Sequence, residues 1–530
     1  MNKTTLTMAL ALQAAVLSAA NPFLPLWEYI PDGEPYVFED PDHPGQYRVY
    51  VYGSHDMLIQ SYCGLDQVVW SAPVHDLSQW RYDGIIFESK LDAKGQQLHE
   101  DGKGDVLFAP DVTMTRDASG RPTYYLYPNN QAGGRNPMVA RSSRPDGPFE
   151  VINWDANESW KNVGILAFDP AVFVDDDGRV YGYWGFENSN GAELDPTTMA
   201  TVKPGTEIVR DMVSGRYQEG DFHFFEASSM RKVKDKYIFI FSRWTPNGEE
   251  GLPDTNYTLA YAYSNNPLGP FTYGGTIIDG RGKETRPDGS KVITAAMTGN
   301  THGSICEIAG QWYVFYHRQC GTDEYSRQAM VEPINVEVTE GPNGYVRISE
   351  AEYTSQGFQI DGLDPYQSYA AGIACYYTHP EPQVREYPNI AYPGAYPQPF
   401  RTTYDGKTPP YDPSINRCPM VHCTSGSAVG YKYFNFSKTY GREGLKLNLE
   451  YTPEGVAGRI DVYVDRPSAT EGGKLIGSLS VEDKASKAPV KATIAVEDLK
   501  QNWGKHALFL VFSSPTEHQS ICTLERLSFK

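Results

Sequence analysis

One short pattern recurs along the chain and limits what it can fold into: a run of aromatic and β-branched residues that follows a polar turn. It occurs at Gln46–Tyr52, Pro122–Tyr127, Arg179–Trp184, Lys236–Phe241 and Gln311–Tyr316, five copies that start about 55 to 75 residues apart. Residues of this kind favour strands. A second element echoes between copies, since Ser142–Phe149 resembles Ser264–Phe271, with a variant at Ser71–Trp80. A lone blade-sized unit cannot bury both of its faces, so repeats of this spacing must stack on one another. The expectation is an all-β chain that begins with a five-bladed β-propeller over residues 21–345. A large sandwich array whose aromatic strands coincide by chance is the competing reading.

Texture changes after the last copy. Residues 346–413 crowd Tyr with Pro, as in Tyr387-Pro388 and Ala395-Tyr396-Pro397-Gln398-Pro399, and read as a connector or a strap laid on a domain face. Short alternating segments return from Ala428 to Phe529, so residues 414–530 are expected to form a β-sandwich. At the other end, Lys3, the apolar run Leu6–Leu17 and Ser18-Ala19-Ala20 have the layout of a secretory leader over residues 1–20. That leader implies a secreted protein, periplasmic or extracellular. No later segment is apolar and long enough to span a membrane.

Charge excludes some partners. With 46 basic and 66 acidic residues the net charge is −20, which argues against nucleic acid and anionic lipid surfaces. The 37 Tyr suit half-buried strands and flat sugar-binding surfaces better than helix bundles. Seven Cys leave at least one thiol unpaired and fit no zinc spacing; Cys418 and Cys423 are the candidate pair in an oxidising compartment.

In a propeller, reactive groups meet at the central funnel and come from several blades. Asp32 lies before the first aromatic strand, Asp169 (in Phe168-Asp169-Pro170-Ala171) before the third and Glu226 (after Phe224-Phe225) before the fourth. Two carboxylates suffice for acid–base cleavage of a glycosidic bond, and a third can adjust a pKa. Glu34 and Asp40 compete with Asp32 as base. Asp175-Asp176-Asp177-Gly178 reads as a hairpin turn, although it also looks like a calcium loop. Asp111 reads as structural. Trp70, Trp184 and Trp244 are candidate sugar platforms, with core packing the equal alternative.

These residues resemble glycoside hydrolase family 43 over about residues 21 to 345. The resemblance rests on Asp32, on Phe168–Phe173 with the following Asp175–Gly178 turn, and on Glu226 ahead of Met230-Arg231-Lys232. It also rests on Thr301-His302-Gly303-Ser304, Tyr316-His317-Arg318 and Ser326-Arg327-Gln328-Ala329. It implies Asp32 as general base, Asp169 as pKa modulator, Glu226 as general acid and Arg327 as the arginine reaching the substrate. His302 matches an axial histidine that often sits over a calcium ion or water, so Ca2+ near His302 is the one cofactor implied. Ala227-Ser228 after the acid and Gly33-Glu34-Pro35 after the base depart from the family's usual context.

The end of the chain resembles a family 6 carbohydrate-binding module, on Ala428–Phe436, Gly458–Val464 in part and Gly504–Phe512. The implied activity is an inverting glycoside hydrolase that removes arabinofuranosyl residues from plant polysaccharides or oligosaccharides. A β-xylosidase and a non-catalytic carbohydrate-binding propeller are the alternatives.

Overall fold

The computed structural model describes residues 20–57, 62–130, 136–297, 299–321, 325–386, 389–391, 396–400, 417–439, 444–496 and 504–530. The expected leader and much of the connector's second half therefore lie outside the described residues. The described chain is all-β, and its helical segments are four short 3-10 turns.

Four consecutive antiparallel sheets have four strands each: β1–β4 (Glu34–Glu39, Tyr47–Tyr52, Asp66–Pro73, Arg81–Glu88), β5–β8 (Asp111–Arg116, Pro122–Tyr127, Ala140–Ser142, Glu150–Val151), β9–β12 (Ala171–Val174, Val180–Trp184, Asn190–Leu194, Val209–Arg210) and β13–β16 (Phe224–Val233, Lys236–Thr245, Thr255–Ser264, Thr272–Asp279). After a hairpin, β17–β18 (Lys283–Thr285, Lys291–Ile293), a fifth sheet has three strands, β19–β21 (Ser304–Ile308, Gln311–Gln319, Arg327–Ile334). Each aromatic repeat is the second strand of its sheet. All but one residue of β14 is buried, because both faces of that sheet are covered. A strand covered on both faces reads as a continuous apolar run, and that is why the repeat stands out in the sequence.

The first strands of the sheets pack on one another: β5 on β9, β9 on β13, β13 on β19 and β19 on β1. A parallel bridge between Gly33 and Gly303 joins the first sheet to the last. The chain start runs beside β21, where Asn21 Nδ2 donates to the Val331 carbonyl at 2.6 Å and Val331 N–H donates to Asn21 Oδ1 at 3.0 Å.

The C-terminal region makes two further sheets. One runs Gln398–Pro399, Met420–Thr424, Ser520–Phe529, Lys446–Pro453 and Val490–Ala495, with Tyr369–Ala370 also paired to Ser520–Phe529. The other runs Tyr376–Thr378, Ala428–Asn435, Lys505–Ser513, Gly458–Val464 and Lys474–Val481. Three strands of the expected connector thus belong to these sheets: Tyr369 pairs with Leu527, Tyr376 with Gly430 and Gln398 with Val421. The cysteine pairing expected from sequence does not form. All seven thiols are free, Cys418 Sγ lies 3.9 Å from Cys320 Sγ, and Cys423 faces Cys522 across two strands.

The two regions share one core. Ile240, Tyr261, Val314, Tyr316 and Met330 of the N-terminal sheets lie in the same cluster as Ile373, Tyr377, Phe434, Leu447 and Leu510. Arg318 is buried at that junction and donates to the carbonyls of Gly372 (2.5 Å) and Ala374 (3.0 Å). A chain cut to residues 21–360 would expose this core. It should unfold at least ~10 °C below the full chain in calorimetry, as expected for the loss of several kcal/mol; an unchanged transition would refute the shared core.

Candidate active site

The first strands all begin toward one cavity of about 680 Å3, lined by Asp32, Asp169, Glu226, His302 and Arg327 among others. Sequence reasoning named all five. Their placement follows from the sheet order: Asp32 and His302 sit two residues ahead of β1 and β19, Asp169 two ahead of β9, and Glu226 near the start of β13. Asp32, Asp169 and Ala227 adopt left-handed backbone, with φ of 61°, 43° and 66°. Non-glycine residues held there cost of order 1–3 kcal/mol each, so the surrounding contacts must fix them.

At Asp32 the fixing contacts are visible. Its N–H donates to His317 Nδ1 at 3.2 Å, and His317 Nε2 lies 3.2 Å from Asn300 Oδ1. The bond to Nδ1 assigns the ring proton to Nε2, and the imidazole is neutral. Burial pushes the His317 pKa down to about 3; Asp32 pulls the other way and Arg327 adds to the drop. The Asp32 carboxylate accepts from Ser54 Oγ at 2.5 Å and from Arg327 Nη1 at 3.2 Å. Burial works against ionisation of Asp32, but Arg327, then cationic His302 and Ser54, outweigh it and hold the pKa below the ordinary value.

Arg327 is itself clamped. Its Nε and Nη2 bind Asp56 Oδ2 and Oδ1 at 2.9 and 2.8 Å, and its backbone N–H reaches Asp56 Oδ2 at 3.0 Å. Arg327 therefore lines the cavity while serving chiefly as the partner of two buried aspartates. Asp56 and Ser54 follow β2 in a segment without a distinctive motif, and sequence reasoning missed them.

Glu226 is the opposite case. Among the described residues no donor reaches its carboxyl. Burial, then the charges of Asp169 and Asp32, raise its pKa well above the usual carboxylate value. Irregular register on both sides of Glu226 in the β13–β14 pairing marks bulges, which re-aim side chains. The Ala227 N–H that follows donates to Asp169 Oδ2 at 3.2 Å, and Asn129 Nδ2 donates to Asp169 Oδ1 at 2.9 Å. Asp169 thus fixes the backbone beside Glu226 and adds to its pKa.

His302 lies between Glu34 Oε1 (3.6 Å from Nε2) and Asp169 Oδ2 (3.9 Å from Nδ1), with both ring nitrogens buried. Burial lowers its pKa, yet Glu34, Asp169 and Asp32 raise it further, to about 9. The ring is a cation at neutral pH. Calcium asks for six to eight oxygen ligands. Here Glu34 is committed to Arg231 (2.7 Å) and Asp169 to Asn129 and Ala227, and no group of three metal-ligating side chains occurs among the described residues. Among the described residues, side chains alone do not form a calcium cage around His302. The Asp175–Gly178 segment is the β9–β10 turn, with Asp175 bound to Lys232 and Tyr237.

The two alternative bases are placed elsewhere. Glu34 is paired with Arg231 and does not line the cavity, and Asp40 accepts from its own turn at Asp42 N (3.0 Å). Asp111 accepts from Tyr36 Oη and the Val172 N–H, both at 2.6 Å, and is structural.

Of the three tryptophans, Trp244 lines the cavity, with the Arg216 guanidinium 3.3 Å from its ring centroid. Trp70 packs on Trp27 and Tyr82 and donates to Glu28 at 2.8 Å, while Trp184 lies in the core with Tyr127 and Val172. Neither lines the cavity, so both are packing residues. Sequence reasoning missed the rest of the aromatic wall, where Phe168, Phe186, Phe225 and Trp244 follow one another at centroid distances of 5.1, 5.1 and 5.5 Å.

A carboxyl kept protonated and a carboxylate kept ionised in one cavity are what acid–base cleavage of a glycosidic bond requires. The profile of the glycosyl hydrolases family 43 matches residues 39–340, a span that holds Asp169, Glu226, His302 and Arg327 and begins after Asp32. A xylosidase/arabinosidase of Thermoclostridium stercorarium is 32% identical over 526 residues, covering 95% of this chain and 98% of that protein. An arabinoxylan arabinofuranohydrolase of Paenibacillus polymyxa is 25% identical over 514 residues, covering 91% and 69%. Among solved structures, a family 43 arabinoxylan arabinofuranohydrolase from Bacillus subtilis, in complex with cellotetraose, aligns over 98% of both chains at 19% identity and a TM-score of 0.44. The chain belongs to glycoside hydrolase family 43.

Were Asp32 to act as base and Glu226 as acid, the acidic limb of the rate profile would report Asp32 and the alkaline limb Glu226. Ser54→Ala removes one donor to Asp32, raises its pKa and should move the acidic limb upward by up to about one pH unit. Arg327→Met should move it further, by roughly one to three units. A pH profile of kcat/KM in which Arg327→Met leaves the acidic limb in place would remove Asp32 from that role.

Proposed function

We propose that the protein is a secreted, inverting exo-glycosidase that removes arabinofuranosyl, and secondarily xylosyl, residues from plant polysaccharides or oligosaccharides. One observation carries this reading: Asp32 and Glu226 line the same cavity with their pKa values pushed in opposite directions. Asp32 takes a proton from a water whose oxygen bonds to the anomeric carbon. The glycosidic C–O bond breaks, and Glu226 gives its proton to the departing oxygen. Charge builds on the sugar ring beside Asp169 and Asp32. Arg327 and His302, both cationic, hold the Asp32 pKa down.

The relatives that span most of the chain carry arabinosidase or arabinofuranohydrolase in their names, and this supports the arabinosyl preference. The five consecutive sheets, with their first strands packed on each other, support a five-bladed propeller. The two C-terminal sheets support a β-sandwich of the carbohydrate-binding-module kind, acting as a structural partner. The leader at residues 1–20 supports secretion. No step is assigned to calcium.

Asp32→Asn should cut turnover at least about a hundredfold on 4-nitrophenyl α-L-arabinofuranoside. Proton NMR of the first-formed sugar should show the inverted anomer; retention would overturn the mechanism. Glu226→Gln should damage turnover far more on natural oligosaccharides than on nitrophenyl glycosides, whose leaving groups need little protonation. Equal losses on both would take the acid role away from Glu226.

A further inference from the structure

We propose that the groove formed by Arg216, Tyr217, His223, Trp244, Asn247 and Asp254 binds the part of the substrate that leaves, as a subsite for a neutral xylan-type backbone. This rests on the glycosidase reading above and deepens it by assigning the side from which the leaving chain exits.

The argument starts at Glu226. A general acid must contact the leaving-group oxygen, so the departing chain begins on the Glu226 side of the cavity. Glu226 belongs to β13, and its neighbour Phe225 packs on Trp244 of β14 at 5.5 Å. Directly beyond lies an open groove of about 650 Å3 that shares Arg216 and Trp244 with the catalytic cavity. The two spaces are therefore contiguous, and each has a volume typical of carbohydrate- and ligand-sized sites.

The groove offers what a sugar chain recognises. Tyr217 presents its ring to solvent, 76% exposed. Arg216 holds Tyr217 from one side, 4.9 Å from its centroid, and lies over Trp244. Arg216 spends only Nη1 on Glu187 (2.9 Å), and its other N–H groups make no hydrogen bond among the described residues. His223 Nδ1 is buried at the groove without a hydrogen-bond partner. One aromatic face and donors still to be satisfied match the alternating apolar faces and hydroxyls of a glycan.

Two measurements test the groove. The first compares kcat/KM on an arabinosyl-substituted xylotriose with kcat/KM on 4-nitrophenyl α-L-arabinofuranoside, whose leaving group is too short to reach Tyr217. Tyr217→Ala should lower the ratio of the two about tenfold, mainly through KM on the oligosaccharide, and Tyr217→Phe should restore most of it. A ratio unchanged within twofold, or one restored no better by Phe than by Ala, overturns the assignment while leaving the glycosidase reading intact.

The second measurement needs no turnover. Calorimetric titration of xylotetraose into Asp32→Asn should give binding that weakens about tenfold on adding Tyr217→Ala. Undetectable binding, or an affinity indifferent to Tyr217, overturns the groove whatever the protein hydrolyses. A wild-type protein inert on every nitrophenyl glycoside would instead sink the activity itself.

Discussion

A single guanidinium, that of Arg327, ties together two buried aspartates at the cavity. It is buried, it takes two bonds to Asp56, and it places a third N–H on Asp32. Removing a carboxylate from water raises its pKa, and a base buried as deeply as Asp32 would be protonated without a cation beside it. Asp56 supplies the second half of the arrangement: it binds the guanidinium in a fork that fixes its plane and so its reach. The Asp32 pKa is thus held down by a charge whose position is set by Asp56.

Along the axis of the site, charges of opposite sign are stacked so that none is buried alone. Arg231 pairs with Glu34, Glu34 lies beside protonated His302, and His302 lies beside Asp169. Each link lowers the cost of burying its neighbours. Glu226 stands outside this chain of partners, with two carboxylates nearby and no donor of its own among the described residues. Burial and the charges of Asp169 and Asp32 raise its pKa, and no partner among the described residues offsets them.

The three carboxylates were legible in the sequence because each precedes an aromatic repeat, and the repeats are the second strands of sheets whose first strands begin at the cavity. The groups that tune them were not. Asp56 and Ser54 lie in a segment with no periodicity, and their value depends on Arg327, 271 positions away from Asp56 in the chain. The tryptophans show the same limit. Trp70, Trp184 and Trp244 occupy similar strand contexts, and only the packing of neighbouring sheets decides which ring reaches the cavity. The C-terminal boundary was blurred for a related reason: Tyr369 and Tyr376 sit in a Pro-rich stretch that reads as a linker, yet both pair into sheets whose partners lie far along the chain.

The C-terminal sheets bear on the site through β20. Neighbouring residues on a strand point to opposite faces. His317 faces Asp32 and holds its backbone, while the next residue, Arg318, faces away and bonds the carbonyls of Gly372 and Ala374. At the end of the same strand Cys320 meets Cys418 of the C-terminal region. The strand that orients the base is therefore gripped from behind by the second region of the chain. A strained residue such as Asp32 keeps its conformation only where its surroundings determine it from several directions. That requirement links the C-terminal sheets to the backbone of Asp32, even though none of their described residues lines the cavity.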